Sequence, residues 1–177
     1  MRPQRILKPK TCLEHIKSVD FIVNSKYPKA KTIAITGDMG SGKTTAVIIL
    51  QYIIWLKYED KVEFHKFQNS KAEETNKPWD PSIQVKRISQ SISSRGYPNL
   101  IKYIRSLGGQ KTSKRSYFLI DEPERYCGIN STAEEHHDLC KYFIDTVKKA
   151  MKDSNKTAIL ISHNDIIINE CDKEIRI

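Results

Sequence analysis

The sequence predicts an α/β protein with a mainly parallel central sheet and helices on both of its faces. Apolar segments at residues 32–36, 116–120 and 157–161 are each followed by polar residues, and helical patterns lie between them. Near-continuous apolar strands that alternate with helices are typical of parallel sheets buried on both sides. Ligands of such sheets bind beyond the carboxyl ends of the strands, where all three polar clusters are expected.

The first half of the chain is predicted from its periodicity. Thr11 and Glu14 form a capping-box pattern that opens an amphipathic helix over residues 11–26. Residues 44–56 are apolar nearly all round and therefore predict a buried helix. Residues 61–67 alternate between polar and apolar side chains, which indicates a second strand.

The middle of the chain is the least regular region. Residues 69–97 are polar, and we interpret them as a long loop or insertion with a short helix around residues 82–91. Long loops in compact domains are often functional. A helix is predicted over residues 99–107, with Gly108 as its C-cap.

The last third returns to regular patterns. Ser131 and Glu134 form a second capping-box pattern, which opens a helix that ends at about residue 152. A short helix over residues 165–171 and a strand over residues 174–177 complete the predicted fold.

Composition favours one cytoplasmic domain over residues 1–177, with a basic arm and helix over residues 1–30. No apolar run approaches the roughly 20 residues that span a membrane, and four scattered cysteines favour reduced thiols. The net charge is +9, and residues 61–115 carry twelve basic and four acidic side chains. This basic region, with an insertion over residues 69–115, predicts either a polyanion-binding face or a lysine-rich solvated surface.

A glycine-rich motif follows the first apolar strand. The segment GDMGSGKT matches the pattern GxxxxGK[ST], whose backbone N–H groups surround a phosphate chain. Lys43 is expected to reach the β- and γ-phosphates, and Thr44 to bind Mg²⁺. With a strand before it and a helix after it, the motif predicts a three-layer P-loop NTPase fold. The predicted nucleotide-binding residues are Gly37, Asp38, Met39, Gly40, Ser41, Gly42, Lys43, Thr44 and Thr45.

Two further polar clusters supply the expected chemistry. In YFLIDEPER, four apolar residues precede Asp121, the pattern of a Walker B carboxylate that anchors Mg²⁺. Glu122 follows directly and is placed to activate a water molecule that attacks the γ-phosphate. In AILISHND, His163 follows a buried strand and can donate a hydrogen bond to the γ-phosphate. We therefore predict Lys43, Glu122 and His163 as catalytic residues.

The order GDMGSGKTT, LIDEPE, LISHND resembles the nucleotide-binding core of ABC-type ATPases. It is especially similar to the DEPE-bearing ATPases related to the overcoming-lysogenization-defect nucleases and to RecF-like repair ATPases. The resemblance covers about residues 30–68 and 115–177. It implies that Lys43, Thr44 and Asp121 hold Mg-ATP, with Glu122 as the base and His163 as the switch histidine. The wider class is the P-loop ATPases with an added central strand.

The sequence departs from this family in its signature motif. The letters SLGGQ at residues 106–110 are close to the family's LSGGQ, but only five residues separate them from the Walker B strand. That distance is too short for the usual signature helix, so a family-type sandwich dimer is in doubt. Gln68, at the end of the second strand, is a candidate for the family's Q-loop glutamine and for a metal ligand.

Several residues have both a functional and a plainer interpretation. The candidate zinc ligands are Cys127, His136, His137 and Cys140, although His and Cys residues on helices are commonly surface and core residues respectively. Arg125 is either an arginine finger or part of a salt bridge. Arg87, Arg95 and Arg105 are candidate nucleic-acid contacts.

We therefore expect an ATPase that uses ATP and Mg²⁺ to drive or regulate a nucleic-acid transaction, such as repair, replication, mobile-element maintenance or packaging. Expected partners are DNA or RNA, a second copy of the chain, or another protein, and no membrane. One alternative is a nucleoside or nucleotide kinase. Another is a slow ATP-dependent assembly switch that acts on a protein partner.

Overall fold

The computed structural model describes the chain from residue 30 onward, with four short gaps. The described ranges are 30–71, 83–110, 113–128, 131–152 and 155–177. The predicted helix over residues 11–26 and the basic arm before it lie outside the described residues.

Within the described ranges, six strands form a single parallel sheet. The strands are β1 (Thr32–Thr36), β2 (Val62–Asn69), β3 (Val85–Gln90), β4 (Arg115–Asp121), β5 (Lys156–Ile161) and β6 (Lys173–Arg176). The helices are α1 (Lys43–Tyr58), α2 (Gly96–Gly109), α3 (Ala133–Ala150) and α4 (Asp165–Glu170). Two short 3-10 helices, Glu59–Lys61 and Pro123–Tyr126, follow α1 and β4. The strand order is β3-β2-β4-β5-β1-β6.

Side chains of β4 alternate between two separate hydrophobic cores. Tyr117 and Leu119 pack with α1 on one face of the sheet, in a core that includes Val47, Leu50 and Ile54. The next residues in the alternation, Phe118 and Ile120, pack on the other face. That second core is built from α2, α3 and α4, and includes Leu100, Ile104, Phe143, Ile144 and Ile167. The predicted α/β architecture, with a parallel sheet and helices on both faces, is therefore confirmed.

The prediction of a loop with a short helix over residues 82–91 is wrong. Residues Val85–Gln90 form β3, which runs parallel to β2 with the register Phe64↔Val85 to Asn69↔Gln90. Four consecutive residues of β3 are exposed, because an edge strand packs little against the helix layers. Backbone pairing with β2 forms this strand without the apolar pattern that marks the buried ones. Residues 72–82, the rest of the predicted insertion, lie in a gap of the described chain.

Two predicted helix caps are also wrong. The capping box of α3 is formed by Thr132 and Glu135, one residue later than predicted. The Ser131 hydroxyl instead donates a hydrogen bond to the carbonyl of Gly128. Gly108 lies inside the last turn of α2, and the residue that ends the helix is Gln110.

Gly108 has a packing role in place of the predicted cap. A Cβ at this position would lie 3.2 Å from the Cα and Cβ atoms of Ala150. The missing side chain therefore lets α2 approach α3 closely. The SLGGQ segment ends a helix, whereas the signature motif of the ABC-type ATPases begins one.

Candidate functional site

The three polar clusters lie at one edge of the sheet, because all six described strands are parallel. β5 lies between β1 and β4, with Ile35 opposite Ile161 and Ile161 opposite Asp121. The ends of β1 and β4 are therefore separated by two strand spacings, about 10 Å. The glycine loop and the acidic residues therefore flank the end of β5 at the same edge of the sheet.

The loop after β1 needs glycine for its backbone shape. Gly40 and Gly42 have φ angles of 74° and 96°, in the left-handed region that other residues rarely adopt. A Cβ on Gly37 would lie 2.7 Å from Ser41 Oγ and 2.8 Å from the carbonyl oxygen of Ile177. A side chain would therefore clash at Gly37 and strain the backbone at Gly40 and Gly42. It ends directly at Lys43, where α1 begins.

The Lys43 side chain lies within this loop. It is 8% exposed, and its ammonium donates hydrogen bonds to the carbonyl oxygens of Gly37 at 3.0 Å and Asp38 at 2.9 Å. The hydroxyl of Ser41 is buried and has no hydrogen-bond partner among the described residues. A fixed cation and an unused buried hydroxyl thus lie at the start of a 16-residue helix, the end that favours anions.

The remaining loop residues vary in exposure. Asp38 and Thr44 are exposed, Thr45 is partly buried, and Met39 is 94% exposed at the tip of the loop. Thr44 and Asp121 line the same narrow cavity between α1 and the sheet. The structure therefore brings the two residues predicted to bind Mg²⁺ together.

Asp121 is the last residue of β4 and is largely enclosed. Burial raises the pKa of Asp121, and the charge of Glu122 acts in the same direction. The ammonium of Lys66, on the neighbouring strand β2, opposes this shift. Lys66 is itself buried, and its own pKa is lowered by that burial.

Lys66 interacts with Asp121, the candidate metal ligand, and was not predicted from the sequence. Its only sequence signal is a charged residue inside an otherwise buried strand. A buried lysine requires a compensating anion, and in this structure Asp121 provides it.

Glu122 has an unusual backbone conformation. Its φ and ψ angles are 48° and 58°, in the left-handed region, which is rare for a residue with a side chain. Its backbone N–H donates to the carbonyl of Ile161 at 2.8 Å, which ties the end of β4 to the end of β5. Such strain is typical of functional positions that the surrounding structure holds in place.

The Glu122 carboxylate lies between two basic side chains. Its Oε2 atom is 3.2 Å from Nη1 of Arg125, and its Oε1 atom is 4.0 Å from Nε2 of His163. The His163 side chain is 45% exposed. Arg125 therefore forms a salt bridge within the chain, one of its two predicted roles, and His163 reaches the predicted base.

Glu124 is a second residue that the sequence analysis missed. Its carboxylate accepts hydrogen bonds from the Ser162 hydroxyl at 3.0 Å and from the backbone N–H of His163 at 2.8 Å. These bonds connect the turn after β4 to the end of β5. The DEPE letters contain this residue, but only the pairing of β4 with β5 reveals its partners.

Gln68 has a partner on the side of β2 away from β4. Its amide nitrogen is 3.4 Å from the Ser89 hydroxyl on β3. Gln68 follows Phe67, the register partner of Ile120, so it lies at the end of β2, the strand directly paired to the strand of Asp121. Its role as a metal ligand stays a prediction.

The three arginines predicted to contact nucleic acid lie on different elements. Arg87 is on the exposed edge strand β3, and Arg95 is the exposed residue before α2. Arg105 lies on α2, where its guanidinium stacks over the ring of Tyr142 at 5.7 Å and donates a hydrogen bond to the Tyr142 hydroxyl. Arg105 therefore also holds α2 against α3.

The residues considered for zinc lie partly together. Cys127 and Cys140 are buried, and His136 Nε2 is 3.6 Å from Cys140 Sγ. His136 Nδ1 contacts the backbone carbonyl of Cys127, and His137 is exposed. In the part of the chain that the structure describes, no three His, Cys, Asp or Glu side chains form a group that could hold a metal ion.

Comparisons with known proteins give this chain no family. No protein-family model matches it, and no curated protein does. None of the helices in the described ranges combines the length and apolar character that a membrane span needs.

Proposed function

We propose that this chain is an ATPase with the three-layer fold of the P-loop NTPases. The observation that carries the proposal is the strand order, in which β5 lies between the strand of the glycine loop and the strand of the acidic pair. This order agrees with the added central strand of the class that the motifs resemble. Three motifs from distant parts of the chain therefore face one site.

The glycine loop and Lys43 suit a triphosphate. Lys43 is the one residue of the motif with a fixed positive charge, and it is almost buried. Its two present acceptors are neutral carbonyl oxygens of the loop, so charged phosphate oxygens are stronger partners for it. The unpartnered Ser41 hydroxyl adds a donor beside them.

The residues around Asp121 fit a magnesium ion. Thr44 and Asp121 line a shared cavity, and both carry side-chain oxygen atoms, the ligand type that Mg²⁺ prefers. Mg²⁺, when bound, neutralises the charge of the phosphate oxygens. Lys66, on the neighbouring strand β2, lines the same cavity and offsets part of the Asp121 charge.

Glu122 is the general base in this proposal. It orients a water molecule toward the γ-phosphate and accepts its proton. Because Arg125 holds one carboxylate oxygen, the other oxygen, which faces His163, is the one that takes the proton. His163 contacts the γ-phosphate from the end of β5 and reports its presence to partners.

The energy of hydrolysis serves a nucleic-acid transaction in this proposal. Its support is the basic charge of residues 61–115, part of which lies on the exposed strand β3 as Lys86 and Arg87. β3 is paired to β2, which neighbours β4. A ligand at β3 therefore lies two strands from the acidic pair.

A cavity beside Glu122 supports hydrolysis over the kinase alternative in this proposal. It is lined by Asn69, Lys71, Ile92, Arg125 and Tyr126 along with the acidic pair, and its volume is about 190 Å³. Ligand pockets for small molecules are usually about 300–1,000 Å³. In the described part of the chain, this space suits water better than a nucleoside acceptor, which favours hydrolysis.

The direct experiment is ATP turnover by the purified protein, with and without DNA and RNA, followed by a panel of nucleosides. We expect Mg²⁺-dependent phosphate release that is lost in Lys43→Ala together with tight ATP binding. The exposed Lys57→Ala serves as the matched control. Phosphate transfer to a nucleoside instead of water would establish the kinase. ATP-dependent self-association with negligible release would establish the assembly switch.

A further inference from the structure

Glu124 connects two segments that lie far apart in the chain. Oε2 accepts from the Ser162 hydroxyl at 3.0 Å, and Oε1 accepts from the His163 backbone N–H at 2.8 Å. One carboxylate therefore uses both of its oxygens on the end of β5. Hydrogen bonds to a charged acceptor are stronger than those between neutral groups.

The hydrogen bonds continue from Ser162 into α4. Ser162 is fully buried, and its hydroxyl accepts from the backbone N–H of Asn164 at 3.1 Å. The Asn164 side chain caps α4 by accepting from the N–H groups of Ile166 and Ile167. Residues 162–164 are thus held from both sides, with Glu124 as the acceptor that begins the chain of bonds.

The 3-10 helix Pro123–Tyr126, which has Glu122 as its N-cap, fixes Glu124 relative to Glu122. The N–H of Arg125 donates to the Glu122 carbonyl at 3.1 Å, and the N–H of Cys127 donates to the Glu124 carbonyl at 3.2 Å. Pro123 begins this short helix and restricts its backbone further. The position of the Glu124 carboxylate is therefore set by the same turn that holds Glu122.

We propose that Glu124 is a positioning residue that holds His163 in register with the catalytic carboxylate Glu122. This inference rests on the proposed ATPase function. Glu124 fixes the backbone of residue 163 through one hydrogen bond, and the His163 imidazole then lies 4.0 Å from Glu122. Without Glu124, the end of β5 keeps its strand but loses the contact that sets where the imidazole points.

The test compares steady-state ATP hydrolysis by wild type, Glu124→Ala and Glu124→Gln. Loss of both charge-assisted hydrogen bonds should lower kcat by about tenfold, with KM within about twofold because the phosphate loop is untouched. In Glu124→Gln the amide oxygen can still accept from the His163 N–H, and the amide NH₂ can donate to the Ser162 hydroxyl. This variant should therefore recover part of the lost kcat. Glu134→Ala, an exposed carboxylate on α3, is the matched control and should keep the wild-type kcat.

The decisive comparison repeats Glu124→Ala in a His163→Ala background. If Glu124 acts through His163, the double variant should have the same kcat as His163→Ala alone. A further tenfold loss in that background would overturn the proposal, because it would show a role independent of the imidazole. Unfolding curves for each variant verify that the proteins are folded at the assay temperature.

The possible failures are distinguishable. If Glu124→Ala does not fold, Glu124→Gln takes its place: it replaces the charged acceptor by a neutral amide, and its smaller loss of kcat is expected in the wild-type background and not in His163→Ala. If the wild type hydrolyses ATP and Glu124→Ala is fully active, the proposed role of Glu124 is overturned and the ATPase proposal is not. A wild type without turnover would overturn the ATPase proposal, and the role of Glu124 with it.

Discussion

The Glu122 backbone stores strain at the residue that we propose as the base. A left-handed conformation costs a residue with a Cβ about 1–2 kcal/mol, and the hydrogen bond from Glu122 to Ile161 helps to hold it. The conformation directs the chain from β4 into the 3-10 helix within one residue. Strain and the predicted chemistry therefore coincide at one position.

This strain predicts a reversed order of stability for two small substitutions. Glu122→Gly should be more stable to urea than Glu122→Ala by up to about 1 kcal/mol, because glycine adopts φ of 48° at no steric cost. At the exposed helical position His137, the order should be the ordinary one, with alanine more stable than glycine by about 1 kcal/mol. If Glu122→Gly is no more stable than Glu122→Ala, while His137 shows the ordinary order, the Glu122 backbone is not strained.

The sequence indicated the residues of the three motifs but not Glu124 or Lys66. Motif residues are recognisable because their spacing along the chain is itself the chemical requirement. Glu124 bonds to Ser162, which directly follows β5, and Lys66 on β2 interacts with the charge of Asp121 on β4. Those contacts depend on the strand order, which no local pattern contains.

At the scale of elements, buried strands and helices were predictable and the edge strand was not. β1, β4 and β5 are nearly continuous apolar segments, so their sequences indicate burial directly. β3 is mostly exposed, and its only requirement is a backbone ladder with β2. The helix α3 was predicted with its cap one residue early, because Ser131-x-x-Glu134 and Thr132-x-x-Glu135 both fit the pattern.

The cap of α3 yields a prediction on stability. Thr132 Oγ accepts from the Glu135 N–H at 3.2 Å, and the Glu135 carboxylate accepts from the Thr132 N–H at 3.0 Å. Thr132→Ala should therefore lower the free energy of unfolding by about 1 kcal/mol. Glu134→Ala should change it by less than about 0.5 kcal/mol. The reverse result in urea titrations would favour the cap that the sequence pattern first suggested.

At the scale of the whole molecule, charge is distributed unevenly over the chain. The net charge is +9, and residues 61–115 alone contribute a net +8, with Arg87 and Arg95 on exposed positions near the sheet edge. If this region binds nucleic acid, affinity should fall steeply with salt, because each neutralised phosphate releases counterions.

Charge reversal tests this surface. Arg87→Glu with Arg95→Glu should weaken binding to single-stranded DNA and reduce the slope of log affinity against log salt by about two, while basal ATP turnover is kept. Lys152→Glu with Lys173→Glu changes the net charge equally elsewhere and should preserve most of the slope. A wild type without salt-sensitive binding to DNA or RNA at about 50 mM salt would leave a protein as the expected partner. Arg105→Glu is unsuitable, because it also breaks the contact with Tyr142.

The strand order unites these observations, because it places the strand of the glycine loop and the strand of the acidic pair on either side of β5. The measurement that tests the ATPase account most directly compares Glu122→Gln with wild type, for Mg-ATP affinity and for phosphate release. The amide keeps the shape of the side chain but cannot accept a proton, so affinity should stay within about threefold while turnover falls at least about a hundredfold. Turnover by Glu122→Gln at the wild-type rate would contradict the account.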